Sequence, residues 1–187
     1  KKLLPVRDSY PQSRIVTLDD DVIYEPWRLE RLMAHSVKYP DSIIGFRGRE
    51  VRLAGDEVFA PYMEWPFATS ASSPCRTLLT GVGGILYPPG VMDQAMLFDM
   101  ASARALAPTA DDIWFWAVAV CSNVPVRCLG HSDHVVIRLN DLDNSLQKVN
   151  CDEGRNDRQL NAVANVYGLW EKLNAEQAPG RPVTVQR

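Results

Sequence analysis

An α/β fold is what this sequence predicts, and three observations predict it. Short apolar runs bounded by polar or turn residues recur at residues 14–18, 42–47, 78–87 and 124–129. Helical patterns fall between and after them, at residues 26–39, 99–107, 113–122 and 156–174. Proline, glycine and aspartate stand at the junctions, where they stop one element and open the next. Strands alternating with helices imply a mixed sheet flanked by helices. We expect one domain over residues 1–177, with residues 178–187 as a tail.

Composition narrows the function classes. A chain of 187 residues can enclose a sizeable core, and its formal net charge of −3 gives no electrostatic footprint for nucleic acid. No apolar run reaches the about 18 residues a membrane span needs, so no integral membrane segment is expected. With no signal-peptide pattern either, the expected location is cytoplasmic. Cys75, Cys121, Cys128 and Cys151 lack metal-type spacing and read as buried thiols, not as a disulfide framework.

Each element has its own justification. The opening Lys1-Lys2-Leu3-Leu4-Pro5 reads as the last turn of a preceding element. Residues 14–18 are a buried strand that runs into Asp19-Asp20-Asp21, and Pro26 opens the helix that follows. Trp27, Leu29, Leu32, Met33 and Val37 recur there at three- and four-residue spacing, and Pro40-Asp41 stops it. Residues 42–47 and 51–53 are strands, and Gly48-Arg49-Glu50 between them predicts a hairpin. Residues 55–76 are loop-like, and packing of Tyr62, Trp65 and Phe67 onto the domain is favoured over stacking on a ligand. Gly81, Gly83 and Gly84 interrupt two strand-like pieces and permit a bulge or a close backbone approach to a ligand. They lack the spacing of a phosphate loop or a dinucleotide fingerprint. Asp111-Asp112 opens a helix over residues 113–122 that is apolar nearly all round and must be buried. His131, Asp133 and His134 follow the strand at 124–129, then come a strand-like run at 135–138 and an Asn/Asp-rich loop. Leu160, Val163, Ala164, Tyr167, Trp170 and Leu173 line one side of the last helix.

Three groups of ionisable residues thus lie in loops that follow strands or open helices: Asp19 to Asp21, Asp111 with Asp112, and His131 with His134. Three adjacent carboxylates repel one another unless a cation lies among them, and Mg²⁺ or Mn²⁺ suits all-oxygen ligands shared with phosphate. Open α/β sheets place ligands at the carboxyl ends of their strands, where such loops converge.

The constellation resembles the GT-A-fold glycosyltransferases related to family 2, over residues 1 to about 170. Residues 15–24, Ile-Val-Thr-Leu-Asp-Asp-Asp-Val-Ile-Tyr, look like their DxD segment. Residues 81–86 are similar to their glycine-bearing strand, and residues 109–116 to the segment whose acidic pair supplies the base. The resemblance implies a GT-A-like, Rossmann-related mixed sheet and a metal-dependent glycosyltransferase. Its donor would be a nucleotide-diphosphate sugar, expected to be a UDP-sugar, and its acceptor hydroxyl would belong to a glycan, a lipid or a small molecule. It further implies Asp19, Asp21 and His134 as ligands of Mn²⁺ or Mg²⁺. Asp19, Asp20, Lys2, Gly83 and Gly84 would attend the donor. Asp112 would be the base of an inverting transfer, with Asp111 on an acceptor hydroxyl or capping its helix. Residues 156–159 are similar to a polar run near the donor. In this family the nucleobase-binding half would lie before residue 1, and the resemblance implies that residues 1–177 would be the C-terminal two-thirds of such a domain.

The chemistry is coherent without the name, since a cation neutralises a departing diphosphate and a carboxylate deprotonates the attacking hydroxyl. Two alternatives remain. One is a non-catalytic nucleotide-sugar-binding domain of the same fold. The other, less favoured, is a haloacid dehalogenase-type phosphatase using Asp19 and Asp21, whose second acidic pair would have to end a strand instead of opening a helix.

Overall fold

The computed structural model describes residues 1–130, 137–138, 150–151 and 154–175. It is a mixed α/β structure. Helix α1 (Leu3–Ser9) leads into β1 (Ile15–Thr17), the acidic loop, and β2 (Val22–Ile23). Then follow α2 (Trp27–Lys38), β3 (Ile43–Gly45), β4 (Gly48–Glu50), β5 (Leu53–Gly55), β6 (Val58–Phe59) and β7 (Thr77–Leu79). The remainder is β8 (Ile85–Tyr87), α3 (Gln94–Leu97), α4 (Met100–Leu106), α5 (Asp111–Cys121), β9 (Val126–Cys128), β10 (Ile137–Arg138), α6 (Arg155–Tyr167) and α7 (Leu169–Ala175).

The central sheet has the order β1-β8-β3-β9. Strand β8 is antiparallel to both β1 and β3, whereas β3 and β9 are parallel. Thr17 pairs with Ile85, Ile85 with Gly45, and Gly45 with Cys128. The carboxyl ends of β1, β3 and β9 therefore share one edge with the amino end of β8. The acidic loop, Arg47 and the glycine segment all emerge at that edge.

Side chains alternate across a strand, so each run serves two layers. Ile15, Ile43, Ile85 and Tyr87 join the large core with α1 and α5, while Ile44 and Leu86 join Leu32 and Phe46 in a smaller one beneath α2. Every residue from Ile113 to Val120 is buried, as the all-round apolar character of α5 requires. Phe59, Trp65, Trp116 and Trp170 pack ring against ring in the large core, the Phe59–Trp170 centroids being 4.5 Å apart. Arg7, only 2% exposed, holds α1 to the sheet. Its guanidinium donates to the carbonyls of Pro11, Ser13, Tyr87 and Pro88, so a buried charge is met by four acceptors.

The structure departs from the sequence expectations at five places. Lys1 and Lys2 precede a helix instead of ending one, and Pro5 sits in its first turn, where its missing N–H costs nothing. The expected hairpin over residues 42–53 does not form: Gly48–Glu50 is itself a strand, paired antiparallel with β7, and the local hairpin is β5–β6. The face of α2 turned to the sheet carries Arg28, Leu32 and Ser36, while Leu29, Met33 and Val37 are exposed. The final helix breaks at Gly168, whose φ of +61° ends α6 before α7 begins. The 55–76 segment contains β6 and a short turn of helix at Tyr62–Glu64. There Tyr62 and Trp65 are buried, and Phe67 is 42% exposed. Among the described residues no cysteine is in a disulfide, and Cys128 is buried. Residues 178–187 lie outside the described residues. Among the described residues no helix is long and apolar enough to cross a membrane.

Candidate functional site

A cleft of about 440 Å³ opens beside the shared sheet edge. Its walls bring together Lys2, Asp19, Gly81, Asp111 and Asp112 from four distant parts of the chain. Tyr24 fixes the acidic loop against the glycine segment: its hydroxyl accepts from Asp19 N at 2.9 Å and donates to the Val82 carbonyl at 3.2 Å. Arg28 holds the same segment from below, donating to the Gly83 carbonyl while paired to Glu25 at 3.0 Å.

Asp111 and Asp112 occupy the first turn of α5, whose N-cap is Ala110 with no side-chain cap. Neither acid is therefore the cap. Asp111 spans to α1 instead: Lys1 Nζ lies 2.9 Å from its Oδ1, and Lys2 N donates to its Oδ2 at 3.1 Å. Burial works to raise this carboxyl, but the Lys1 ammonium outweighs it and leaves the group below the usual carboxylate range. Asp112 has the opposite balance. Burial pushes its carboxyl up to about 6, the Gly81 N–H that donates to Oδ2 at 3.0 Å and the charge of Lys2 pull back, and the charges of Asp19 and Asp111 add to the rise. One half-buried carboxyl at the cleft is thus poised to exchange a proton near neutral pH.

Lys2 Nζ donates to Asp19 Oδ1. Burial lowers the Lys2 ammonium, but the bond to Asp19 and the nearby Asp112 leave it raised. A point beside Gly81 lies 3.3 Å from Asp112 Oδ1, 3.6 Å from Asp19 Oδ1 and 3.6 Å from Lys2 Nζ. The ammonium and both carboxylates therefore crowd one spot.

Not every predicted residue reaches the cleft. Asp20 is exposed and Asp21 half-buried, and neither lines it. Gly83 and Gly84 do not line it either. A Cβ on Gly83 would stand 2.6 Å from Arg47 Cβ, and Gly84 has a φ of +81° with Leu18 against it. These glycines let two backbones pack together. His131, Asp133 and His134 lie outside the described residues. Among the described residues no three His, Cys, Asp or Glu side chains group as metal ligands. In donor chemistry, Asp19 and Asp112 suit a hard divalent ion, and Lys2 is the cation that such an ion would have to displace.

The sequence reading missed Arg47, Arg49 and Asn150, which also line the cleft. Asn156, placed near the donor by resemblance, and Tyr62, expected to pack onto the domain, line it too. Asn150 and Gln159 hold the Pro108–Ala110 corner: Asn150 Nδ2 donates to the Thr109 carbonyl, and Thr109 N donates to Gln159 Oε1, both at 3.0 Å. Asp157 accepts from Tyr62 N at 2.7 Å. The arginines follow the apolar run of β3, and that polar Arg-Gly-Arg sequence was the available signal. No protein-family model matches the chain, and no match is found among curated proteins or solved structures.

Proposed function

We propose that the cleft transfers a glycosyl group from a nucleoside-diphosphate sugar to an acceptor hydroxyl, with Asp112 as the base. The observation that carries this reading is Asp112 itself: a carboxyl raised to about 6, anchored by Gly81 N–H and adjacent to Asp19 and Lys2. A base of that strength is ionised at neutral pH yet more basic than an ordinary carboxylate. The acceptor hydroxyl gives its proton to Asp112 as its oxygen bonds to the anomeric carbon, while the bond to the diphosphate oxygen breaks. Lys2 places positive charge where a departing diphosphate becomes negative. A divalent ion bound at Asp19, with Asp21 and His134 as the further ligands implied by resemblance, would add charge neutralisation of the diphosphate. Asp20, Gly83 and Gly84 lie outside the cleft walls, so the donor side falls to Lys2 and Asp19.

A second reading, a nucleotide-sugar-binding domain without turnover, is favoured by the Lys2–Asp19 pair, which engages a proposed metal ligand. The phosphatase reading needs its second acidic pair at a strand end, and Asp111-Asp112 instead opens α5.

The test is Asp112→Asn with a panel of nucleoside-diphosphate sugars, following donor hydrolysis and transfer. Turnover is expected to fall by about 10²–10⁴ with nucleotide affinity retained. Undiminished turnover removes Asp112 as base, and nucleotide binding with no turnover in the wild type selects the second reading.

A further inference from the structure

The arginine-bearing part of the cleft has a character that glycosyl transfer does not by itself require. Arg47 and Arg49 both line the cleft, and both guanidinium groups stand over the Phe67 ring, 5.1 and 4.9 Å from its centroid. Arg49 also stands over Tyr62 at 5.3 Å and donates to the Trp65 carbonyl at 2.5 Å. Arg47 donates to Thr80 Oγ1 at 2.8 Å, one residue before the Gly81 that anchors Asp112. Two cations are thus each held by ring contacts and a hydrogen bond in the cleft that holds the proposed base. Stacked, hydrogen-bonded guanidinium groups lose little freedom on meeting a carboxylate or phosphate.

A second observation lies in the same cleft. Asn156 is 7% exposed and lines it, yet its buried Oδ1 has no hydrogen-bond partner among the described residues. A buried acceptor left unmade is costly, and a rotation of the side chain that turned Oδ1 to the cleft would let a ligand hydroxyl satisfy it. The cleft is ordered along its length. Arg49 pairs opposite Leu78, Arg47 bonds Thr80, and Asp112, Asp19 and Lys2 meet at Gly81. The arginine end and the Asp19 end therefore adjoin at the residue that anchors Asp112, as acceptor and donor must adjoin at the base.

We propose that Arg47, Arg49 and Asn156 Oδ1 form the acceptor subsite, and that the acceptor is a sugar or other polyol bearing a phosphate or a carboxylate. The assignment to the acceptor rests on the glycosyl-transfer reading of the cleft. The anion-plus-hydroxyl specificity of this wall does not.

Ligand-observed NMR titration with glucose 6-phosphate, glucuronate and glucose tests it, with UDP titrated into the same samples. One anionic sugar is expected to bind at least about 10-fold tighter than glucose, and which one distinguishes phosphate from carboxylate. Raising the salt should shrink that preference in the wild type, a readout independent of any variant. Arg49→Gln should abolish the preference, Arg49→Lys should retain part of it, and Asn156→Val should weaken every sugar that binds. Equal affinity for glucose and both anionic sugars overturns the proposal, as does a preference untouched by Arg49→Gln. UDP binding with no such preference removes this inference and leaves the proposed function standing. An Arg49-dependent preference without UDP binding supports the anionic subsite and removes the glycosyl-transfer reading. Competitive displacement of the anionic sugar by UDP assigns the arginines to the donor phosphates and overturns the acceptor assignment.

Discussion

Asp112→Asn should make the protein more stable at neutral pH while disabling it. The unfolded-state pKa is near 3.8 and the folded value is about 6, so between these values the folded state holds more proton than the unfolded one. Stability from this group is then complete below about pH 4 and is lost as pH rises through 6. Above that, keeping Asp112 ionised costs about 3 kcal/mol, at 1.36 kcal/mol for each pKa unit. Asparagine removes the cost and can still accept from Gly81 N through Oδ1. It forfeits an attraction to the amino end of α5 of about 0.3–1 kcal/mol, and partial exposure trims the remainder. The net expectation is a gain of about 1–2 kcal/mol at pH 8, or roughly 2–8 °C in Tm for a chain of this size. Urea melts of wild type and variant from pH 4.5 to 8 measure it, and the gain should shrink toward zero at the acid end. A gain of constant size across the range, or a variant less stable at pH 8, would refute the burial argument.

Asp111→Asn should behave oppositely. Its carboxyl lies below the usual range, so its contribution is present above the unfolded pKa and lost in acid, and the variant should be destabilised at pH 8 but not near pH 3. Lys2→Met should tighten Mn²⁺ binding by about 10-fold if the ammonium competes for Asp19, which calorimetry with the metal alone can read. UDP should bind more tightly with Mn²⁺ or Mg²⁺ than in EDTA. His134→Ala should weaken that dependence and His131→Ala should not, and identical behaviour of the two would remove His134 as a ligand. Gly83→Ala should cost about 1–3 kcal/mol in a urea melt, because the added Cβ meets Arg47 Cβ and N at 2.6 and 2.8 Å, and backbone cannot step aside as a side-chain tip can.

The central strands were legible because Ile15, Ile43, Ile44 and the residues of β8 are apolar, short and punctuated. Helix α5 was legible because nothing polar interrupts it for eight residues, Ile113 to Val120. Strand β4 was not: Gly-Arg-Glu carries no apolar signal, and what makes it a strand is its pairing with Leu78 and Leu79, some thirty residues away. The buried face of α2 was misread because Arg28 goes inward, where the rings of Tyr24, Trp27 and Phe46 surround its guanidinium. Periodicity counts such a residue as polar. At the site, Asp19, Asp111 and Asp112 were found as acids at element junctions. The clustering of Asp19 and Asp112 around Lys2, the engagement of Asp111 by Lys1 and the arginines in the same cleft all depend on contacts between segments far apart in sequence.

Arg7 lies outside the cleft, yet it ties four carbonyls on either side of the join between α1 and the sheet. The same helix begins directly after Lys2, whose ammonium meets Asp19 at the end of the neighbouring strand. The two contacts work like a hinge pin and a latch on one short door. Loosening the pin lets the latch drift, so in a mutational scan Arg7 would score with the cleft residues while touching none of them. A truncation or fusion that disturbs the first turn of α1 would reproduce that pattern with every acid of the site intact.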